Sequence, residues 1–166
     1  RENKSKVYRD TTHFVEYLDW LVYRLTGRLV LNLNTTTQRW YYNQREWGFP
    51  VDLFEEIGLP ELISKIPEKI MPAGEKVGCL TSEAAAALGL PESTPVIQGG
   101  GDAFVALLGM GVTELGEIGL IAGSSNVMAG FLDREVHGPG VFGAFPDALI
   151  PGLWLIEGGQ VSTGSI

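Results

Sequence analysis

Residues 95–112 read PVIQGGGDAFVALLGMGV and contain the change of pattern that decides the fold. The run at 95–97 predicts a short strand, the glycines at 99–101 a sharp turn, and the apolar spacing of 103–110 a helix. Asp102 stands at the start of that helix, where partial positive charge keeps a carboxylate ionised and able to accept a hydroxyl proton. A lone Gly-Asp before an apolar helix is, however, more often only a helix cap.

Upstream, the pattern predicts an amphipathic helix over residues 10–24. Its apolar residues recur at three- and four-residue spacing and share one face. They are Phe14, Tyr17, Leu18, Leu21, Val22 and Leu25. Thr11 or Thr12 can cap the start of this helix, and Gly27 can end it in the left-handed conformation.

The stretch between this helix and the glycines is less regular. We interpret residues 28–50 as a surface segment with aromatic anchors, in which Trp40 and Trp47 are more often packing residues than sugar platforms. Short elements are expected after it, with helices at 51–57, 59–63 and 82–88 and a loop at 65–75.

Beyond residue 112 the pattern changes to short strands, which are predicted at 116–122, 126–131 and 152–157. The first two strands flank Gly123, Ser124 and Ser125 and therefore predict a β-hairpin. Backbone N–H groups and two hydroxyls at such a turn can bind phosphate oxygens, although an ordinary hairpin turn is the commoner meaning of this motif. We place a domain boundary near residue 112.

The last segment, EGGQVSTGS at 157–165, has glycines, Gln and hydroxyl residues after a strand. Such a segment suits a backbone that a ligand approaches closely, and equally a simple strand-to-helix turn. The two histidines, His13 and His137, are interpreted as structural.

Composition excludes several classes of protein. The net charge is −8 and no basic run exceeds a pair, which argues against a nucleic-acid partner. No apolar stretch reaches the roughly 18 residues of a membrane span, and a signal peptide is not expected, so we predict a soluble, cytoplasmic protein. Cys79 is the only cysteine, which excludes a cysteine metal cluster. The chain stops directly after a glycine-rich motif, and we expect it to be a piece of a longer protein.

Taken in this order and spacing, the motifs resemble those of the FGGY carbohydrate kinases, the family of glycerol kinase, xylulokinase and the ribulokinases. The resemblance covers nearly the whole chain and matches the central third of the family. It includes LTG at 25–27, VGCLT at 77–81, the 95–112 stretch, the GSS turn and EGGQ at 157–160. The specific part is GGGD followed about twenty residues later by GSS.

The resemblance implies an α/β enzyme of the ribonuclease H-like, actin/hexokinase-type fold, in which ATP and sugar meet between two such domains. Residues 1–112 would be the end of the N-terminal, sugar-binding domain. Residues 113–166 would begin the C-terminal, nucleotide-binding domain, so that the chain spans the junction of the two. Family members often dimerise, and a homodimer is therefore an expected assembly.

On the acceptor side, Asp102 matches the family's general base, and Asp102, Ala103 and Phe104 are expected at the substrate. Glycerol kinases carry Gln after this aspartate, so Ala103 and Phe104 weaken a glycerol interpretation. Residues 138–152, GPGVFGAFPDALIPG, are similar to a PGxWGxYPDAxxPG run in the ribulokinase and pentulose kinase branch. A ketopentose is therefore the expected acceptor, with erythritol, glycerol or another polyol as alternatives.

On the nucleotide side, Gly123, Ser124 and Ser125 match the family's turn on the ATP phosphates, and Gly164 falls on a glycine near the nucleotide. Mg²⁺ would arrive with ATP, and no metal ligand of the chain's own is expected. The family's N-terminal phosphate loop and its later adenosine site do not occur in these 166 residues. The isolated chain is therefore expected to be inactive.

Two other functions compete with the kinase. A non-catalytic actin-fold protein, such as a sugar sensor or an ATP-driven clamp, would keep the nucleotide turn but would not need a base at Asp102. A plain α/β domain with glycine-rich turns and no ligand is the third interpretation.

Overall fold

The helices lie in the first two thirds of the chain, and the longer strands lie in the last third. The computed structural model describes residues 2–123 and 126–160. Within them the α-helices are α1 Ser5–Asp10, α2 Tyr17–Thr26, α3 Leu33–Arg39, α4 Val51–Glu56, α5 Ser82–Leu88 and α6 Asp102–Met110, with a 3-10 helix at Pro60–Lys65. The strands are β1 Leu31–Asn32, β2 Ile70–Met71, β3 Lys76–Cys79, β4 Pro95–Ile97, β5 Ile118–Ala122, β6 Asn126–Leu132, β7 Val141–Pro146 and β8 Trp154–Gln160.

The predicted helix over residues 10–24 was wrong at its start, because the chain forms two helices there. Thr11 ends α1, where its hydroxyl donates to the Val7 carbonyl. Helix α2 begins at Tyr17 with a capping box, in which Glu16 and Asp19 each accept the other's backbone N–H. Gly27 ends α2 at φ 68°, as predicted.

The predicted apolar face of that helix was also wrong in part. Tyr17 is 74% exposed and Leu21 is 40% exposed. The residues of α2 that are buried are Asp19 and Val22. A carboxylate therefore occupies a buried position of α2 that the predicted apolar face did not include.

The interpretation of residues 28–50 as a surface segment was wrong for its first half. β1 pairs in parallel with β2, within the predicted 65–75 loop, and α3 follows β1 directly. Four residues of α3 are buried although three of them are polar: Leu33, Asn34, Thr36 and Thr37. The threonine hydroxyls donate to backbone carbonyls of Asn32 and Asn34, which satisfies them inside the protein.

The short elements around the glycine turn agree better with prediction. The helices expected at 51–57, 59–63 and 82–88 are present as α4, the 3-10 helix and α5. Thr81 caps α5 by accepting the Ala84 N–H, and Gly89 ends that helix. The predicted strand β4 pairs antiparallel with β3, for which no strand was predicted.

The last third of the described chain forms a four-stranded antiparallel sheet in the order β5-β6-β8-β7. β5 and β6 pair from Ile118↔Gly130 to Ala122↔Asn126, which confirms the predicted hairpin. Strand β7 lies in the segment rich in glycine and proline, where no strand was predicted.

Helix α6 packs on this sheet and anchors the residues that follow the glycine turn. The shared core consists of Phe104, Leu107, Ala129, Phe131, Phe145, Ala148, Leu149 and Leu155. Gly119 allows the close approach, since a Cβ there would stand 2.4 Å from Leu107 Cδ2. In the described part of the chain, no helix is long and apolar enough to cross a bilayer.

Candidate functional site

Asp102 is the first residue of α6 and is exposed. Its Oδ1 accepts the N–H of Ala103 at 2.9 Å. Ala103 is half-buried beside it, whereas Phe104 is 7% exposed and belongs to the core between α6 and the sheet. The carboxylate is thus presented at the surface by a helix whose next turn is fixed in the core.

The three glycines before Asp102 pack against buried side chains at the start of α3. Asn34 Oδ1 accepts the Gly101 N–H at 2.8 Å. A Cβ at Gly100 would stand 2.7 Å from Val105 Cγ1 and 3.1 Å from Asn34 Oδ1, so a larger residue there requires a shift. Gly99 has no heavy atom within 4 Å of such a position. Close packing therefore explains why position 100 is a glycine, whereas position 99 has space for a side chain.

Asn32 joins the glycine turn to the interior of the first part of the chain. Its side-chain amide donates to the Gly99 carbonyl, and its backbone N–H donates to Asp19 Oδ1 at 2.7 Å. Asp19 is fully buried, and this burial raises its pKa from 3.8 to about 6. Hydrogen bonds from the N–H groups of Asn32 and Glu16 act in the opposite direction, and the charge of Glu16 adds to the rise.

A cavity of about 380 Å³ lies between the C-terminal end of α3 and strands β7 and β8. Its wall combines polar and aromatic side chains, among them Gln38, Tyr41, Trp47, His137, Trp154 and Glu157. Glu157 is half-buried and its pKa is raised by burial, an effect that the positive charge of Arg39 partly offsets. Carboxylate, amide and aromatic groups of this kind suit a small ligand with several hydroxyls.

Arg45 and Asp147 form an ion pair beside this cavity. Arg45 Nε and Nη2 each donate to the Asp147 carboxylate at 2.7 Å, and the Gly152 N–H donates to Asp147 Oδ1 at 2.6 Å. The Arg45 guanidinium lowers the pKa of Asp147 from 3.8 to about 2, against the effect of burial. Arg45 also lies 5.2 Å from the centre of the Trp154 ring. The pair joins residues 102 positions apart, and we name it the Arg45–Asp147 clasp.

Helix α3 connects the cavity with the glycine turn. Its first residues contact the turn through Asn34, and Thr37 and Gln38 near its end line the cavity. Seven residues at 1.5 Å per residue give α3 a length of about 10 Å. Prediction from sequence missed this arrangement, because it treated the polar run of α3 as exposed. The available signal was the run of Asn and Thr directly after the apolar residues 29–31.

The predicted phosphate-binding residues are placed only in part. Gly123 is exposed at the end of β5, and the Ala122↔Asn126 pair leaves three residues for the turn. Ser124, Ser125 and Gly164 lie outside the described residues, so their roles stay predictions. Among residues 2–123 and 126–160, no cluster of His, Cys, Asp and Glu could hold a metal ion.

Comparison with known proteins gives a consistent result. The model of the N-terminal domain of the FGGY family of carbohydrate kinases matches residues 1–109. An FGGY carbohydrate kinase domain-containing protein of Xenopus laevis is 35% identical over 185 residues, covering 100% of this chain and 34% of that protein. A ribulokinase of Anoxybacillus flavithermus is 33% identical, covering 96% of this chain and 29% of the relative. The chain thus spans about a third of the length of these curated relatives.

Solved structures agree at the level of the fold. The xylulose kinase from Rhodospirillum rubrum superposes with a TM-score of 0.82 at 24% identity, over 99% of this chain and 33% of that one. The predicted α/β chain of the actin/hexokinase-type fold is therefore confirmed.

Proposed function

The chain belongs to the FGGY family of carbohydrate kinases, and from this premise we propose that it forms the acceptor-activating part of an ATP-dependent sugar kinase. The observation that carries the proposal is the exposed carboxylate of Asp102 at the first turn of α6. The glycine turn before it is tied to buried asparagines, and α3 links that turn to a cavity with polar and aromatic walls.

In the proposed reaction Asp102 is the general base. Phosphoryl transfer passes through a loose transition state, so the enzyme acts mainly by positioning the acceptor in line. Asp102 orients one sugar hydroxyl and takes its proton as the hydroxyl oxygen bonds to the γ-phosphorus and the bond to the ADP oxygen breaks. ATP with Mg²⁺ supplies the phosphoryl group. Ala103 would lie beside the acceptor on α6. Phe104 would support the acceptor side indirectly, because it packs in the core and not against the sugar.

The nucleotide side of the proposal rests on the β5–β6 hairpin. N–H groups of Gly123, Ser124 and Ser125 would neutralise phosphate oxygens, and Gly164 would lie near the nucleotide. We assign residues 1–112 to the sugar-binding domain and residues 113–166 to the start of the nucleotide-binding domain. Because the chain is about a third of its relatives' length, the isolated chain is expected to lack turnover.

A ketopentose is the proposed acceptor. In the cavity wall, the half-buried Glu157 offers an acceptor for sugar hydroxyls, and the Gln38 amide offers a donor. Relatives named ribulokinase and xylulose kinase support the same substrate class. Erythritol, glycerol or another polyol is the alternative. We expect a cytoplasmic enzyme, where ATP is available, and a homodimer as its assembly.

The test measures ADP release with Mg-ATP and a panel of ketopentoses, tetritols, glycerol and hexuloses, in the longest form of the protein that carries this chain. Asp102→Asn should lower kcat by about 10² to 10⁴ while KM stays similar, because it removes the base and keeps the shape. Asp133→Asn, at an exposed aspartate directly after β6, is the matched control and should keep full activity.

The outcomes separate the competing functions. Sugar or ATP binding without turnover across the panel would overturn the kinase and favour a non-catalytic actin-fold sensor. Equal turnover by wild type and Asp102→Asn would remove Asp102 from the role of base. Turnover by the isolated 166-residue chain would contradict the expectation that the chain is inactive alone.

A further inference from the structure

Asn34 is a fully buried amide that faces the glycine turn from α3. Its Oδ1 accepts the Gly101 N–H at 2.8 Å. Its Nδ2 is also buried and has no hydrogen-bond partner within the described residues. A buried amide that satisfies only one of its two polar atoms is costly, and such a cost is typical of a residue held for a function.

The shape of the turn fits this amide closely. A Cβ at Gly100 would stand 3.1 Å from Asn34 Oδ1, and a Cβ at Gly101 would stand 3.4 Å from the same oxygen. On the far side, Val105 Cγ1 and Phe104 Cδ2 are 2.7 and 3.3 Å from these positions. The turn is thus confined between the Asn34 amide and the first turn of α6, and the glycines make that fit possible.

A second contact fixes the other end of the turn. The Asn32 amide donates to the Gly99 carbonyl, and the Asn32 backbone is in turn held by Asp19. Asp102 itself accepts a hydrogen bond from the backbone of the next residue, Ala103. Among the described residues, the hydrogen bond to its carboxylate thus comes from the backbone at the start of α6.

We propose that Asn34 is a positioning residue, which fixes through the Gly101 N–H the place from which Asp102 meets the sugar hydroxyl. The inference rests on the proposed role of Asp102. It deepens that role by naming the side chain that keeps the base in line. Asn34 does not line the cavity, so it should affect the chemical step and not the binding of sugar.

Three variants test the proposal. Asn34→Leu keeps the branching at Cγ, replaces the amide oxygen and nitrogen by methyl groups, and so removes the acceptor. Asn34→Asp keeps an oxygen facing Gly101, and its charge lies in the first turn of α3, where the helix dipole favours a carboxylate. Thr36→Val is the matched control. It removes a buried hydrogen bond to the Asn32 carbonyl and keeps both side-chain contacts to the turn, Asn34 with Gly101 and Asn32 with Gly99.

The first readout does not depend on activity. Hydrogen–deuterium exchange of the peptide that contains Gly101 is followed in the longest form of the protein. Loss of the acceptor should speed exchange of the Gly101 amide about tenfold or more. Asn34→Asp and Thr36→Val should exchange there as the wild type does. If Asn34→Leu does not fold, Asn34→Ala makes the same comparison.

The second readout is the kinetics of phosphoryl transfer. A small displacement of a base costs about 10²-fold in rate, so Asn34→Leu should lower kcat by about 10- to 100-fold with KM for the sugar unchanged. Asn34→Asp should have a kcat close to that of the wild type. If Asn34 served only the stability of the fold, the oxygen at this position would not decide kcat.

Each result decides the matter. If the Gly101 amide exchanges at the same rate in Asn34→Leu and in Thr36→Val, the contact between Asn34 and Gly101 does not stabilise the turn. Faster exchange with unchanged kcat would overturn the positioning role. If the wild type phosphorylates no acceptor, the proposed function fails and the positioning role fails with it, while the exchange result still reports whether Asn34 holds the turn.

Discussion

Asp19 in α2 and Asp147 after β7 are both buried carboxylates, yet their pKa values move in opposite directions. Asp19 is 0% exposed and its pKa rises to about 6, whereas Asp147 is 7% exposed and its pKa falls to about 2. Both accept backbone N–H groups. The difference is the guanidinium of Arg45, which Asp147 has and Asp19 lacks.

The comparison shows that burial has two outcomes for a carboxylate. Without a counter-charge, N–H dipoles do not offset the loss of water, and the ionised form of Asp19 destabilises the folded chain at neutral pH. With a bidentate guanidinium, the ionised form of Asp147 is stabilising. Asp19 nevertheless accepts the backbone N–H of Asn32, and the Asn32 side chain donates to the glycine turn. The destabilising ionised carboxylate of Asp19 is therefore part of the structure that supports the proposed base.

The largest expected effect comes from breaking the Arg45–Asp147 clasp. Asp147→Ala should lower the free energy of unfolding by about 3 to 4 kcal/mol, because Arg45 and the Gly152 N–H lose their partner. Urea denaturation at neutral pH measures the loss, and a double-mutant cycle with Arg45→Ala should give a coupling of about 2 kcal/mol or more. A coupling near zero would mean that Asp147 acts only through its own turn.

The second prediction concerns the pH dependence that Asp19 causes. Its folded pKa of about 6 exceeds its ordinary 3.8, so the stability it contributes is full below pH 4 and is lost as pH rises through 6. Asp19→Asn should therefore gain about 2 to 3 kcal/mol relative to wild type between pH 4 and 7. The measurement is chemical denaturation at several pH values.

Two other carboxylates set the controls for that measurement. Burial also raises the pKa of Glu157, which adds a slope of the same sign, so wild type and variant must be compared at each pH. Asp147 has the opposite sign, since its stability is present above pH 4 and is lost as pH falls toward 2. A difference between wild type and Asp19→Asn that stays constant from pH 4 to 7 would refute the assignment.

Much of the glycine turn and its helix could be predicted, because the signals are local. The strand at 95–97, the glycines and the helix after them depend on neighbouring residues, and Gly27 and Gly89 end α2 and α5 through their own backbone conformation. The β5–β6 hairpin is likewise a local feature of two strands and a short turn.

The parts that could not be predicted depend on distant partners. α3 is polar in sequence and buried in the fold, because its threonine hydroxyls donate to nearby backbone carbonyls and Asn34 accepts the N–H of Gly101, 67 positions away. The Arg45–Asp147 clasp joins residues separated by 102 positions. In strand β7 the apolar run is short and interrupted by a glycine, and the strand forms through its pairing with β8. No local pattern contains these contacts, and they shape the cavity and the support of Asp102.

The third prediction concerns the glycine turn, which Asp19 supports through Asn32. Gly100→Ala should destabilise the protein by about 1 to 2 kcal/mol, because the new Cβ would lie 2.7 Å from Val105 Cγ1 and 3.1 Å from Asn34 Oδ1. Gly99→Ala is the matched control, with open space at the same turn, and should change stability by less than about 0.5 kcal/mol. Equal melting temperatures for the two variants would show that the turn yields without cost.

The smallest expected effect concerns an exposed ion pair, which is compared with the Arg45–Asp147 clasp. Arg24 Nη2 and Glu83 Oε1 are 3.3 Å apart, with side chains 54% and 84% exposed. Water screens this pair, so a double-mutant cycle of Arg24→Ala and Glu83→Ala should give a coupling of about 0 to 0.5 kcal/mol. Raising the salt concentration to 1 M should remove even that coupling. The coupling between Arg45 and Asp147 should persist, because that pair is bidentate and the Asp147 side chain is 9% exposed. If the two couplings proved equal, exclusion from water would not be what distinguishes Asp147. The explanation of its low pKa would then move from Arg45 to the hydrogen bonds from the Gln44 side chain and the Gly152 N–H.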